Sequence, residues 1–431
     1  MAKKQVIQTE EGSIEMSLMQ DIDSILQDSK SRSLKNTAEF DVQYPTGFYP
    51  LDYKNGQRIH VQFSDGRKGS YDSIGIVDGS INMFIGRSGC GKSTIAKQMA
   101  ANIVAPFRYG LIFEDSVEGG IVSRRNEILT GFAPDELKRR LKLRNSGVSI
   151  ESIYTQIKAI HDAKLKDEEK YRYNTGLVDS LGNPIIKFQP TVYIVDSIAM
   201  LAPEKLTQEE EMSGQMSTTA SAKMLAQLFR RITPMLKEAN IIFFGINHIT
   251  KKIEINSFVH TKSDNAYLKQ DETLPGGVTP LYLANNIFRL DDGTKLTSDK
   301  DFGIDGCHVT VSLVKSRTAA TGVSSAVDLI FNYNTGFDAD LSMYMMLKNA
   351  GLVNGAGAFL YFGDRSDKKF SQRQFKEKLN TDPEFVKIFV EECLAYFKNY
   401  YDDQERKIES NKSVAASMLD KMMQQNRSLL G

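Results

Sequence analysis

Gly86-Arg87-Ser88-Gly89-Cys90-Gly91-Lys92-Ser93 is the stretch from which the rest of the chain is read. Its spacing is GxxxxGK(S/T), and both flanks suit it. The apolar run Ile81–Ile85 predicts a strand before it, and Thr94–Val104 predicts a helix after it. Glycines at these positions let backbone N–H groups turn inward at a helix N-terminus, which makes an anion-binding nest. Lys92 supplies a cation for β- and γ-phosphates, and the Ser93 hydroxyl is placed to ligate Mg²⁺. Gly86 through Thr94 are therefore the candidate nucleotide contacts.

About a hundred residues on, Val192-Tyr193-Ile194-Val195-Asp196-Ser197 is a run of β-formers ending in a carboxylate. Ligands bind at the carboxyl ends of strands in open α/β sheets, so Asp196 is the second candidate metal residue beside Ser93. A third signal is the acidic cluster Glu114-Asp115-Ser116-Val117-Glu118. Nucleotide hydrolysis needs a carboxylate to orient the attacking water, and spacing alone does not choose among Glu114, Asp115 and Glu118. Ile246-Asn247-His248 ends another apolar run with a polar pair that could sense a γ-phosphate. In Leu313-Val314-Lys315-Ser316-Arg317, two cations two residues apart share one strand face and could clamp a phosphate.

These motifs sit in an α/β texture. Apolar strand-like runs, Ile81–Gly86, Leu111–Phe113, Thr191–Asp196 and Ile241–Asn247, alternate with helix-like Lys92–Val104, Gly120–Leu129, Ile150–Asp162 and Ser213–Glu238. Continuous apolar strands alternating with helices predict a mostly parallel sheet covered on both faces. Ile287–Leu290, His308–Val314 and Ala326–Phe331 follow without helices between them, which predicts an antiparallel extension. Ser64-Asp65-Gly66 predicts a hairpin inserted at about 57 to 75. Ahead of the core, Ile14, Leu18, Ile22 and Ile25/Leu26 recur at helical spacing, which predicts an amphipathic helix over residues 13 to 28 followed by a polar linker.

The length of 431 residues suggests two or three domains. The expected division is an N-terminal oligomerisation helix and linker (1–44), an ATPase core (45–338), a small α/β C-terminal domain (339–400) and a polar tail (401–431). Lys plus Arg equal Asp plus Glu at 54 each, which excludes a constitutively basic, histone-like binder but not one with basic residues in a few loops. Cys90, Cys307 and Cys393 have neither disulfide-framework nor zinc-site spacing and fit a reducing compartment. The N-terminus shows no apolar stretch of a signal peptide, and runs such as Ile241–Ile246 are too short to span a bilayer. The expectation is a cytoplasmic protein with no membrane partner.

Taken in order, the phosphate loop, Val195-Asp196-Ser197-Ile198-Ala199, Ile246-Asn247-His248, Gly276-Gly277 and Lys315-Ser316-Arg317 resemble the RecA family of strand-exchange recombinases, nearest the phage UvsX-type branch. The likeness extends to Thr46-Gly47-Phe48-Tyr49-Pro50-Leu51-Asp52 upstream and to Gly336-Phe337-Asp338, Gly351-Leu352-Val353 and Gly355–Phe359 downstream, covering about residues 45 to 400. It implies a RecA-like P-loop ATPase core that binds ATP and Mg²⁺. It also implies a homo-oligomeric helical filament on single-stranded DNA that pairs with homologous duplex DNA, served by single-strand-binding or mediator proteins. Lys92, Ser93 and Asp196 would be the ATP and Mg²⁺ residues, Glu118 the water-activating acid, and His248 the nucleotide sensor. Lys315 and Arg317 would reach across to a neighbour's γ-phosphate. Two DNA-binding loops would fall at about Glu204–Met216 and Thr250–Gly277. The acidic cluster needs one extra residue to align Glu118, which keeps Glu114 and Asp115 open. The second loop carries Lys251, Lys252, Lys262 and Lys269 together with four acids, and Phe258 and Tyr267 could stack on bases. A replicative helicase motor of the DnaB type shares the same core, and a regulatory ATPase that ignores DNA fits the neutral charge.

Overall fold

The computed structural model describes residues 41–117, 123–179, 181–205, 214–251, 266–277, 279–298, 302–319 and 326–430. The expected helix at 13–28 and Glu118 lie outside the described residues, as do 206–213 and 252–265 of the two expected loops.

Nine strands form the central sheet: β1 Ile81–Gly86, β2 Leu111–Ser116, β3 Leu141–Arg144, β4 Thr191–Asp196, β5 Ile241–His248, β6 Asn286–Leu296, β7 Gly306–Ser316, β8 Ala326–Asn332 and β9 Gly336–Asp338. Their order across the sheet is β9-β8-β7-β6-β1-β5-β4-β2-β3. From β3 to β6 every neighbour is parallel, and from β6 to β9 every neighbour is antiparallel. All residues of β1 and β4 are buried, as strands covered on both faces must be.

One face of the sheet carries α1, Lys92–Val104, whose Ile95, Ala96, Met99, Ala100 and Ile103 are buried. On the other face, α3 (Ile150–Lys166) and α4 (Gly214–Glu238) pack Ile153, Ile157, Phe229 and Ile232 against Met83, Tyr193 and Phe243. Each such side chain removed from water stabilises the fold by roughly 1.5–3 kcal/mol before entropy is counted. Between them in sequence is the short α2, Ser123–Thr130. The C-terminal region holds a second buried cluster that includes Tyr344 of α5 (Ala339–Asn349), Phe375 of α6 (Phe375–Thr381) and Phe385, Phe389 and Phe397 of α7. Helix α7, Pro383–Leu430, runs unbroken through residue 400, where the sequence reading ends a domain and begins a tail.

Two hairpins form two-stranded sheets of their own: Gln57–Gln62 with Lys68–Ser73, as expected, and Arg172–Val178 with Pro184–Phe188. Residues 60–69 and 176–185 group as a separate compact unit, in which Phe63 lies so close to Gly182 that a Cβ there would sit 2.7 Å from the ring. Among the described residues, no helix is long and apolar enough to cross a membrane.

Candidate active site

The parallel strands end together. In the register, Gly86 lies opposite His248 on one side and Leu290 on the other, while Asp196 lies opposite Ser116 and Ile246. This places the phosphate loop, Asp196 and His248 at one edge of the sheet, outside the carboxyl ends of the strands, where open α/β sheets take ligands.

The loop is shaped by its glycines. Gly91 caps α1 in the left-handed region (φ +89°), and a Cβ there would meet the Phe337 ring at 2.8 Å. At Gly86 a Cβ would lie 2.5 Å from the Leu290 carbonyl oxygen. Arg87, Ser88 and Gly89 are exposed, whereas Cys90 is buried and its thiol donates to the Arg87 carbonyl at 3.0 Å. The Lys92 ammonium donates to that same oxygen at 2.6 Å and lies 3.3 Å from His248 Nδ1. An exposed, glycine-built cradle with an ammonium at its centre fits a nucleotide polyphosphate. Ser93 and Asp196 carry hard oxygen atoms of the kind Mg²⁺ takes, and would be the residues to hold it.

The acidic cluster divides across the sheet. Glu114 Oε2 is 2.9 Å from the Lys97 ammonium, both side chains being nearly fully buried, and Lys97 also donates to Asn126 Oδ1 at 2.7 Å. Burial raises the Glu114 carboxyl above its ordinary range, Lys97 opposes that, and the charges of Asp196 and Asp115 add to it. Asp115 faces the other way. It receives a bidentate pair from Arg144 at 2.8 and 2.7 Å, together with the Tyr193 hydroxyl. Two of the three candidate acids are thus committed to buried partners. The one sequence signal for Lys97 is weak: a lysine within the buried face Ile95-Ala96-Lys97 and a glutamate ending Leu111-Ile112-Phe113-Glu114 are charges interrupting apolar patterns.

On β5, Asn247 donates from Nδ2 to the Pro275 carbonyl at 2.7 Å, directly before Gly276 and Gly277, both with positive φ. The base of that loop is a two-residue pairing, Thr250–Lys251 with Glu272–Thr273. Arg289 clamps it with a bidentate pair to Glu272 at 2.6 and 2.8 Å, which lowers the Glu272 carboxyl.

Lys315 and Arg317 are not brought to this edge. Lys315 lies opposite Ile287, three residues along β6 from Leu290, or roughly 10 Å of strand, and Arg317 lies further on. Both side chains turn to the end of the short helix Thr279–Leu283. Lys315 donates to the Leu281 and Tyr282 carbonyls, each at 2.7 Å, and Arg317 to Tyr282 at 3.2 Å. Burial, with Arg317 adding, lowers the Lys315 ammonium to about 8.

No family model matches the chain. It is 24% identical over 210 residues to protein RecA of Acholeplasma laidlawii (strain PG-8A), which is 48% of this chain and 56% of that one. It is 23% identical over 169 residues to protein RecA of Thermotoga maritima, covering 39% and 43% of the two chains. With protein RecA of Staphylococcus epidermidis it shares 22% over 230 residues, 52% and 60%. The chain spans about half the length of the curated relatives it matches. These similarities support a RecA family relationship, and the nine-stranded, mostly parallel sheet with its covering helices is consistent with a RecA-like core.

Proposed function

We propose that this chain is an ATP-dependent DNA recombinase of the phage UvsX type, a DNA-dependent ATPase that assembles as a helical filament on single-stranded DNA and pairs it with a homologous duplex in the host-cell cytoplasm or nucleoid. The observation that carries the reading is one line of contacts: Lys92 against His248, and the adjacent Asn247 bonded to Pro275. The loop lysine and the glycine-hinged segment ending at Gly277 are thus joined through two adjacent residues of one strand. Occupancy of one can therefore bias the setting of the other, which a DNA-regulated ATPase needs.

In this reading Lys92 carries the cation that meets the phosphates, and the loop N–H groups hold the remaining oxygens. Mg²⁺, held by Ser93 and Asp196, would neutralise charge on the β- and γ-phosphates when bound. Glu114 and Asp115 having other partners, Glu118 takes the role of orienting water. Lys315 and Arg317 serve the γ-phosphate of the next copy, as cations that stabilise charge developing in transfer. The helix expected at 13–28 docks on a neighbouring copy.

The test is binding to single-stranded DNA as a function of salt, with and without ATP, together with ATP turnover and electron micrographs. The reading expects stoichiometric, ATP-dependent, salt-sensitive coating as filaments and DNA-stimulated hydrolysis. Rings that unwind duplex DNA would transfer the assignment to a helicase motor, and indifference to DNA would remove the nucleic-acid reading altogether.

A further inference from the structure

The phosphate-loop helix carries a second buried lysine that the ATPase reading does not use. Lys97 lies five residues after Lys92 on α1 and is 2% exposed. Its ammonium joins three elements: α1 itself, β2 through Glu114 at 2.9 Å, and α2 through Asn126 at 2.7 Å. Glu114 pairs in register with Ile194, two residues before Asp196 on the adjacent strand. Around this link, α1 buries Ile95, Ala96, Met99, Ala100, Ala101, Ile103 and Val104. Such apolar burial is non-directional. A buried ion pair adds little net stability over apolar residues of the same volume, because desolvation offsets the attraction. What it does add is direction.

We propose that Lys97 is a positioning residue. Gripped by Glu114 and Asn126, it fixes the axial and rotational setting of α1 against β2, and so sets Lys92 and Ser93, at the start of the same helix, against Asp196. The proposal rests on the nucleotide reading of the site and adds to it the element that holds its two halves in register.

The decisive variant replaces both charges together, Lys97→Met with Glu114→Leu, in the full chain. Three quantities are read: the thermal midpoint, ADP affinity with EDTA and with Mg²⁺, and kcat for ATP. The expected result is an unchanged or higher midpoint and metal-free ADP affinity within about threefold of wild type. The Mg²⁺-dependent gain in affinity and kcat should each fall by about 10- to 100-fold, the range seen when residues behind metal ligands are removed. Asn126→Leu, which leaves the ion pair and removes one tie, should move both readouts the same way by less. A double variant with normal Mg²⁺ gain and normal kcat overturns the proposal. So does one that fails to fold or melts far lower, because the pair is then a stability element. If the wild-type protein binds ADP but never turns over ATP, the ATPase reading fails while the Mg²⁺ comparison still decides the role of Lys97.

Discussion

Lys92 is the side chain on which the candidate site turns, and its surroundings make its removal readable. It gives up a hydrogen bond to the Arg87 carbonyl and contact with His248, both at the edge where the nucleotide is expected. Charge-assisted hydrogen bonds are worth about 1.5–3 kcal/mol each, so losing two to phosphate in Lys92→Ala should weaken binding of a fluorescent ADP by about 100-fold or more. Near-normal affinity would remove the assignment of the loop. The acids give a sharper contrast. Glu114→Gln leaves the Lys97 ammonium buried without its counter-charge and should cost about 3–5 kcal/mol of folding stability. Glu118→Gln should instead slow turnover by orders of magnitude with ADP binding retained. Denaturant melts and single-turnover hydrolysis of both variants separate the roles. Loss of turnover with unchanged stability in Glu114→Gln would reverse them.

Helix α3 makes a prediction about pH through its buried end. Lys164 donates to the carbonyls of Gln189 at 2.7 Å, Ala239 at 2.9 Å and Asn240 at 3.3 Å, and burial pulls its ammonium from 10.5 down to about 7. Between those values the unfolded chain holds a proton that the folded chain has released. Stability attributable to this group therefore rises as pH climbs from about 7 towards 10.5, by on the order of 5 kcal/mol across the window, and is flat below it. Urea melts at pH 7 to 10 should show that rise in the wild type, and Lys164→Met should lose it. Parallel curves for the two proteins would show that Lys164 keeps an ordinary affinity for its proton. The same elements explain what could be read from the chain. Strands such as Thr191–Asp196 are buried on both faces and announce themselves as unbroken apolar runs. Leu141–Arg144 is an edge strand, half exposed, and its four residues carry no such signal. Arg172–Val178 has exposed Arg172, Asn174 and Gly176 between half-buried Tyr173, Thr175 and Leu177, so no unbroken apolar run marks its hairpin. The phosphate loop, Asp196 and His248 were legible because motif and strand end coincide in sequence. The Lys97–Glu114 and Asp115–Arg144 pairs were not, because partners 17 and 29 residues apart meet only once the sheet has formed.

For the molecule as a whole, the separation of Lys315 and Arg317 from the phosphate loop has a direct test. On the proposed reading a Lys92→Ala chain can still lend its two cations, and a Lys315→Ala/Arg317→Ala chain can still bind ATP. Neither should hydrolyse alone, and an equal mixture should recover part of the DNA-dependent rate at mixed junctions. Normal hydrolysis by the double variant on its own, or no recovery although mixed assemblies form, would show that these cations do not act on a neighbour. On that same proposed reading, the layout of an open run has an arithmetic consequence. A chain whose loop sits at one sheet edge and whose cations sit at the other would then be a link with a socket and a plug, and head-to-tail joining of such links runs on unless the rotation closes a ring. A run of n links fills n−1 sockets, and the idle socket always falls at the same terminus. Turnover per chain then scales as (n−1)/n: a pair works at half the limiting rate and long runs approach it. Shortening the runs, by dilution or on short oligonucleotides, slows each chain even when every chain remains on DNA.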